Sequence, residues 1–131
     1  MLLGWHHVAL IASDLERALD FYGRCLGFEV VARHYRAERQ SWKVDLAGPG
    51  GVRLELFTFP GAPPRPSRPE ALGLRHLAFA VDDVQAVRAG LQRQGVACEA
   101  VRTDPYTGRA FFFCADPDGL PLEFYEAGSP E

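Results

Sequence analysis

The chain has 131 residues, of which 47% are hydrophobic and 24% charged, and its formal net charge is −3 at pH 7. This length is enough for one domain to bury its own core, and the slight negative charge argues against nucleic acids and anionic membranes as partners. No stretch approaches the roughly 20 apolar residues of a membrane-spanning helix, and the N-terminus lacks the basic region of a secretion signal. The three cysteines have no paired spacing, which disfavours disulfides. We therefore expect a cytoplasmic protein.

The first half of the chain predicts one strand, one helix and three further strands. Alternating apolar residues predict a strand that ends before Asp14, whose side chain is of a type that caps helices. Apolar residues at helical spacing continue to Gly27, where the helix is expected to end. The strands that follow are expected at residues 28–32, 41–47 and 52–59.

The second half repeats this order. A strand is expected at residues 75–81, a helix between Asp83 and Gly95, and three strands at 97–102, 109–114 and 121–125. Between the halves, five of the ten prolines fall within residues 60–69, a composition typical of a semi-rigid connector. We therefore predict a single domain over residues 1–131, with module one at about 4–59, a linker at about 60–72 and module two at about 73–127.

Two histidines and two glutamates occupy matched places in these halves. The His-Val-Ala-Leu sequence that begins at His7 recurs 69 residues later as His-Leu-Ala-Phe at His76. The Leu-Glu-Leu-Phe sequence around Glu55 recurs 68 residues later as Leu-Glu-Phe-Tyr around Glu123. Two imidazoles and two carboxylates related by one internal repeat indicate a single site built from two half-modules, and a divalent metal is the natural occupant of such a site.

Strand alternation predicts where these four side chains point. Apolar residues flank each glutamate and follow each histidine, so one face of every strand can pack in the core while the other presents the candidate ligand. His6 is expected to point away from His7, and His34 has no counterpart in the repeat, so we interpret both as residues outside the metal site.

Longer motifs carry a family resemblance. The segment 14–28 reads DLERALDFYGRCLGF, the segment 74–83 reads LRHLAFAVDD, and the segment 116–126 reads DPDGLPLEFYE. Together with the histidine and glutamate motifs, they resemble the vicinal oxygen chelate superfamily, which includes glyoxalase I, extradiol dioxygenases, fosfomycin-resistance transferases and methylmalonyl-CoA epimerase. Residues 67–75 and 104–108 are similar to a small glyoxalase-I-like subgroup of bacterial proteins.

The resemblance implies an α+β fold of two tandem βαβββ modules whose curled mixed sheets surround a metal cleft. It implies that His7, Glu55, His76 and Glu123 bind one divalent ion, which is Ni, Zn, Co, Mn or Fe. The implied activity is that of a metal-dependent lyase or isomerase of glyoxalase I type, acting on a small oxygen-chelating substrate such as the hemithioacetal of an α-oxoaldehyde and a thiol. Either Glu123 or Glu55 is then the catalytic base, and Glu123 is the first choice.

Substrate contacts, assembly and alternative functions complete the expectations. Arg36, Arg39 and Lys43 fall in a basic region in which a carboxylate- or phosphate-bearing substrate can be bound, and Trp42 and Tyr106 are candidates to line the pocket. The resemblance implies a homodimer, with a metal site that is either intrachain or shared. The alternatives that remain are an Fe(II)-dependent extradiol-type dioxygenase, a thiol transferase that gives antibiotic resistance, and a protein that sequesters a ligand without chemistry.

Overall fold

The computed structural model describes residues 1–128, so the last three residues of the predicted domain lie outside the described part. The chain divides into two compact units, Met1–Pro64 and Arg65–Glu131. The boundary falls within the proline-rich segment expected as a linker. Each unit is described by itself below.

The first unit is a four-stranded mixed sheet with one helical segment. The elements are β1 (Val8–Ile11), α1 (Leu15–Asp20), a π-helical segment (Phe21–Cys25), β2 (Glu29–Arg36), β3 (Ser41–Ala47) and β4 (Arg53–Phe57). The sheet order is β1-β4-β3-β2, in which β1 and β4 are parallel and the other pairs are antiparallel. Short 3₁₀ turns follow β2 and β3.

The core of this unit forms between the sheet and the helical segment. Asp14 caps α1 by accepting a hydrogen bond from the backbone N–H of Arg17 at 3.0 Å. The π-helical segment widens the last turns, and both adjacent aromatic residues, Phe21 and Tyr22, are buried. The inner strands contribute the alternate residues that pack against them: Val44, Leu46, Leu54 and Leu56.

The second unit has the same order of elements. The elements are β5 (Leu77–Val81), α2 (Val84–Arg93), β6 (Arg102–Thr103), β7 (Ala110–Ala115) and β8 (Pro121–Glu126). The sheet order is β5-β8-β7-β6, again with one parallel pair, β5 with β8. Asp83 caps α2 by accepting a hydrogen bond from the backbone N–H of Ala86. The predicted α+β fold of two βαβββ modules is therefore confirmed.

Three predicted element boundaries were wrong. The strand expected at 28–32 runs from Glu29 to Arg36, because β3 pairs with it along its whole length despite its polar residues. The strand expected at 97–102 is reduced to the two residues of β6, preceded by an isolated bridge between Cys98 and Cys114. The single helix expected up to Gly27 is α-helical only to Asp20. No helix among residues 1–128 combines the length and the apolar character needed to cross a bilayer.

Candidate metal centre

In the first unit, the predicted ligands His7 and Glu55 lie side by side. β1 pairs with β4 in parallel, with Ala9 opposite Glu55, and His7 stands one residue before β1. The His7 Nδ1 atom is 3.3 Å from the Glu55 Oε2 atom, and the two side chains are 36% and 17% exposed. The neighbours Leu54 and Leu56 are buried, so strand alternation holds Glu55 on the opposite face from the core.

The second unit repeats this arrangement. Ala78 lies opposite Glu123 in the parallel pair of β5 and β8, and His76 stands one residue before β5. The His76 Nε2 atom is 3.8 Å from the Glu123 Oε1 atom, with exposed fractions of 26% and 16%. Leu122 and Phe124, the flanking residues, are buried. The repeat seen in the sequence is therefore a repeat in the structure of each unit.

The spacing within the first pair fits a shared divalent ion, and that within the second is slightly wider. Two donors that each bind an ion at about 2.1 Å lie about 3.0 Å apart at an octahedral right angle and about 3.4 Å apart at a tetrahedral angle. The separation of 3.3 Å in the first unit lies between these values, and that of 3.8 Å in the second unit is larger than both. Within residues 1–128, no three His, Cys, Asp or Glu side chains lie close enough together to hold a metal ion. Each unit on its own thus supplies one histidine and one glutamate as metal donors. That the two pairs bind the same ion stays a prediction.

The residues beside the two glutamates differ in charge. Beside Glu55, β3 contributes Asp45, which lies directly opposite it, and Lys43. The Lys43 Nζ atom is 3.0 Å from the Asp45 Oδ1 atom and 3.7 Å from the Glu55 Oε1 atom. The hydrogen bond to Asp45 raises the pKa of Lys43 above its ordinary value, and the charge of Glu55 acts in the same direction. Glu55 therefore has a permanent cation as a neighbour.

Beside Glu123, the corresponding strand β7 contributes aromatic rings. Phe113 lies directly opposite Glu123, and its ring packs edge to face against His76 with centroids 5.1 Å apart. The guanidinium of Arg102 lies over the rings of Phe111 and Phe113, at 5.0 and 5.6 Å from their centroids. Among the described residues, no lysine or arginine nitrogen lies within 4.0 Å of the Glu123 carboxylate. Phe113 and Arg102 also line, with His76, a cleft of about 930 Å³ in this unit.

The five predicted substrate residues occupy different places. Arg36 and Lys43 lie on the face of the first sheet that carries Glu55, and Arg39 lies in the turn between β2 and β3. Trp42 lies on the other face, where its ring packs against Tyr35. Tyr106 is 94% exposed in the second unit, in the turn before β7.

Sequence reasoning missed several neighbours of the site. The expectation that His6 points away from His7 was wrong: both precede β1, so strand alternation does not apply, and their Nδ1 atoms are 2.8 Å apart. Phe57 shares a face with Glu55 because it is two residues along β4. Its repeat counterpart in β8 is Tyr125, whose hydroxyl donates to Asp104 at 2.9 Å. The same 68-residue offset that revealed the glutamates relates these two aromatic residues.

Comparison with known proteins places this fold and these motifs in a family. Residues 4–124 match the model of the Glyoxalase/Bleomycin resistance protein/Dioxygenase superfamily. The chain is 55% identical to the uncharacterized protein YaeR of Escherichia coli (strain K12), over 92% of this chain and 94% of YaeR. It is 29% identical to the lactoylglutathione lyase of Haemophilus influenzae, over 92% of this chain and 90% of that protein.

A solved structure agrees with this placement. The crystal structure of the glyoxalase family protein from Enterococcus faecalis superposes with a TM-score of 0.89 at 47% identity, covering 95% of this chain and 98% of that one. The chain therefore belongs to the Glyoxalase/Bleomycin resistance protein/Dioxygenase superfamily.

Proposed function

We propose that the protein is a divalent-metal-dependent lyase or isomerase of glyoxalase I type. Its substrate is a small molecule with neighbouring oxygen atoms, such as the hemithioacetal of an α-oxoaldehyde and a thiol. The observation that carries the proposal is the presence of one His–Glu pair in each unit, at repeat-related positions and with donor atoms 3.3 and 3.8 Å apart. The similarity to a lactoylglutathione lyase supports it.

In this proposal His7, Glu55, His76 and Glu123 together hold one ion of Ni, Zn, Co, Mn or Fe. The bound ion supplies Lewis acidity, which stabilises negative charge on the substrate oxygens. The two pairs combine either within one chain or across a homodimer. Imidazole and carboxylate donors suit all five of these metals, so the donor set limits the ion to this group without selecting among them.

The residues beside the two glutamates support different roles for them. Lys43, which also pairs with Asp45, lies 3.7 Å from the Glu55 carboxylate and attracts it. Glu123 lies opposite Phe113, and the His76 imidazole is 3.8 Å from its carboxylate. Glu123 is thus the more readily released carboxylate, and we assign to it the transfer of a proton between adjacent substrate carbons. Glu55 is assigned a positional role.

The test is hemithioacetal isomerisation from methylglyoxal and glutathione by metal-free protein reloaded separately with each of the five ions. The wild-type protein should isomerise the hemithioacetal only after it has been reloaded with a metal ion. Glu123→Gln should abolish turnover, and Glu55→Gln should lower metal content measured by mass spectrometry. Glu29→Gln is the matched control, because Glu29 is an exposed strand glutamate outside the site. Turnover that persists after removal of the metal would refute the proposal.

One observation favours a second candidate function. If Lys43 keeps Glu55 away from the ion, the remaining donors are His7, His76 and Glu123, which is the two-histidine, one-carboxylate set of Fe(II) oxygenases. This reading predicts an extradiol-type dioxygenase. Fe(II)-loaded protein would then consume oxygen in the presence of catechols, and Glu55→Gln would retain that activity. Lack of oxygen uptake with a catechol panel eliminates this candidate.

We also propose that the protein is a homodimer. Leu2, Leu3 and Trp5 are almost fully exposed, and Ile11 in β1 is more than half exposed. Burial of such apolar side chains between two copies of the chain would remove them from water. Sedimentation at micromolar concentration tests this, and a monomer there would contradict it. The cytoplasmic location stays a proposal, supported by three cysteines that form no disulfide.

A further inference from the structure

Two arginines and two phenylalanines form a cluster in the first unit, here called the Arg–Phe cluster: Arg36, Arg39, Phe57 and Phe59. The guanidinium carbon of Arg36 is 5.0 Å from the centroid of the Phe57 ring and 5.6 Å from that of Phe59. Arg39 lies 5.5 Å from the Phe59 centroid. The two rings are stacked, with centroids 6.1 Å apart and an interplanar angle of 6°. Cation–π contacts with the phenylalanine rings thus stabilise both guanidinium groups.

The two arginines of this cluster have no ion-pair partner in the part of the chain that the structure describes. Among residues 1–128, no carboxylate oxygen lies within 4.0 Å of Arg36 or Arg39, whereas four other arginines each have such a partner: Arg24, Arg33, Arg75 and Arg102. An arginine without an acidic partner retains its capacity to bind an anion from solution.

Arg36 is also fixed in place. Its Nη2 atom donates a hydrogen bond of 2.9 Å to the hydroxyl of Ser41, which is fully buried. Its Nε atom is buried and has no hydrogen-bond partner among residues 1–128, an arrangement that costs stability. The Nη1 group and the second N–H of Nη2 remain for a ligand. Because the guanidinium is already held, little side-chain entropy is lost when it binds an anion.

The cluster is close to the candidate metal ligand Glu55. Phe57 is two residues beyond Glu55 on β4 and lies on the same face, so the two positions are about 7 Å apart along the strand. Along this face the charge changes from negative at Asp45 and Glu55 to positive at Lys43, which lies opposite Phe57, and then at Arg36. A ligand that reaches from Glu55 to Phe57 meets acidic groups at one end and guanidinium groups at the other.

We propose that the Arg–Phe cluster binds a carboxylate of the substrate. The substrate class is then a molecule whose oxygen-chelating head is joined to a terminal carboxylate by a chain of two or three carbons. The oxygen-chelating head of this substrate class rests on the proposed function, whereas its terminal carboxylate is inferred from the Arg–Phe cluster alone. A carboxylate suits the cluster because its two oxygens match the two N–H groups that Arg36 presents on adjacent nitrogens.

The test compares 2-oxoglutarate with 2-oxobutyrate, which share an α-oxo acid head and differ in the distal carboxylate. Both are titrated calorimetrically into full-length protein, with and without bound Ni²⁺. In wild type, 2-oxoglutarate should bind at least about 10-fold more tightly than 2-oxobutyrate, the ratio expected for one charge-assisted hydrogen-bonded pair. Arg36→Met should bring this ratio close to one, and Arg36→Lys should leave an intermediate ratio because it keeps the charge without the two-pronged geometry.

Arg53→Met is the matched control. Arg53 lies on β4, two residues on the other side of Glu55, is exposed, and has no carboxylate partner among the described residues. Its substitution removes the same charge from the same face and should leave the ratio unchanged. Circular dichroism of each variant establishes that it is folded.

The outcomes separate the two proposals. Equal affinity for both acids in wild type, or no binding of either, overturns the carboxylate subsite. A retained preference for 2-oxoglutarate with no effect of Ni²⁺ supports the subsite and contradicts the metal-dependent function. A ratio that falls equally in Arg36→Met and Arg53→Met would assign the preference to the overall charge of the face and would also overturn the subsite.

Discussion

Replacing Ser41 by alanine should destabilise the protein and release Arg36. The Ser41 side chain is 0% exposed; its hydroxyl accepts from Arg36 Nη2 at 2.9 Å and approaches the carbonyl oxygen of Trp42 at 3.3 Å. A hydrogen bond to a charged group contributes about 1.5 to 3 kcal/mol, and the loss leaves a partly buried guanidinium short of a partner. Because the contact to Trp42 is long and contributes little, we expect the free energy of unfolding to fall by about 2 kcal/mol.

Urea denaturation followed by circular dichroism measures this change. Ser67→Ala is the control, because Ser67 accepts a similar bond of 2.8 Å from Arg65 in a half-buried segment; its cost should stay below about 0.5 kcal/mol. Since Ser41 and Arg36 are one interacting pair, Ser41→Ala and Arg36→Met should not be additive, with a coupling of about 1 to 2 kcal/mol. Additive losses, or a Ser41→Ala cost no larger than that of the control, would refute the reasoning.

Three further predictions concern backbone packing and pH. A Cβ atom at Gly48 would lie 2.3 Å from the ring of the buried Phe28, so Gly48→Ala should lower the free energy of unfolding by about 1 to 3 kcal/mol in urea denaturation. A Cβ atom added at Gly90, inside α2, would have its nearest neighbour, the Arg93 Nη2 atom, at 3.7 Å. Gly90→Ala should therefore raise the free energy of unfolding by about 0.5 to 1 kcal/mol; a decrease would contradict the packing argument. Hydrogen bonds, first from the backbone N–H of Tyr106, lower the pKa of Asp104 from its ordinary value of 3.8. Its charged form therefore stabilises the fold at neutral pH, and this contribution is lost as the pH falls from the ordinary value through the lowered one. Asp104→Asn should therefore be less stable than wild type at pH 7, with a difference that shrinks on acidification; a difference independent of pH would contradict this assignment.

The order of secondary structure could be read from the sequence because local signals and tertiary structure agree. Asp14 and Asp83 cap the two helices that they precede, as their residue type predicts. The ends of β2 could not be read in the same way. Residues 33–36 are mostly polar, which is typical of a loop, yet they form strand because β3 supplies backbone hydrogen bonds along one edge. Pairing of this kind depends on a distant segment and leaves no local signal.

The candidate site was likewise predictable from the sequence only in part. The internal repeat identified His7 with Glu55 and His76 with Glu123, and each pair is adjacent in its unit. The stacking of Arg36 on Phe57 could not be predicted, because it depends on the turn that returns β3 beside β2. Sequence position indicated a basic region, and only the fold distinguishes arginines that have acidic partners from those that do not.

The two units duplicate the candidate ligands and differ in what surrounds them, and this difference supports a division of roles. In the first unit, Glu55 has Lys43 within 3.7 Å, and Arg36 on the same face has no acidic partner among the described residues. The first unit thus has cations beside Glu55 and at the proposed carboxylate subsite. In the second unit, Phe113 lies opposite Glu123 and packs against His76, so the carboxylate has an apolar neighbour on one side. A fixed carboxylate is suited to holding a metal, and one with fewer charged contacts is suited to leaving the metal and carrying a proton. In the proposed function the two glutamates therefore have different tasks, each of which the surroundings of the other would oppose.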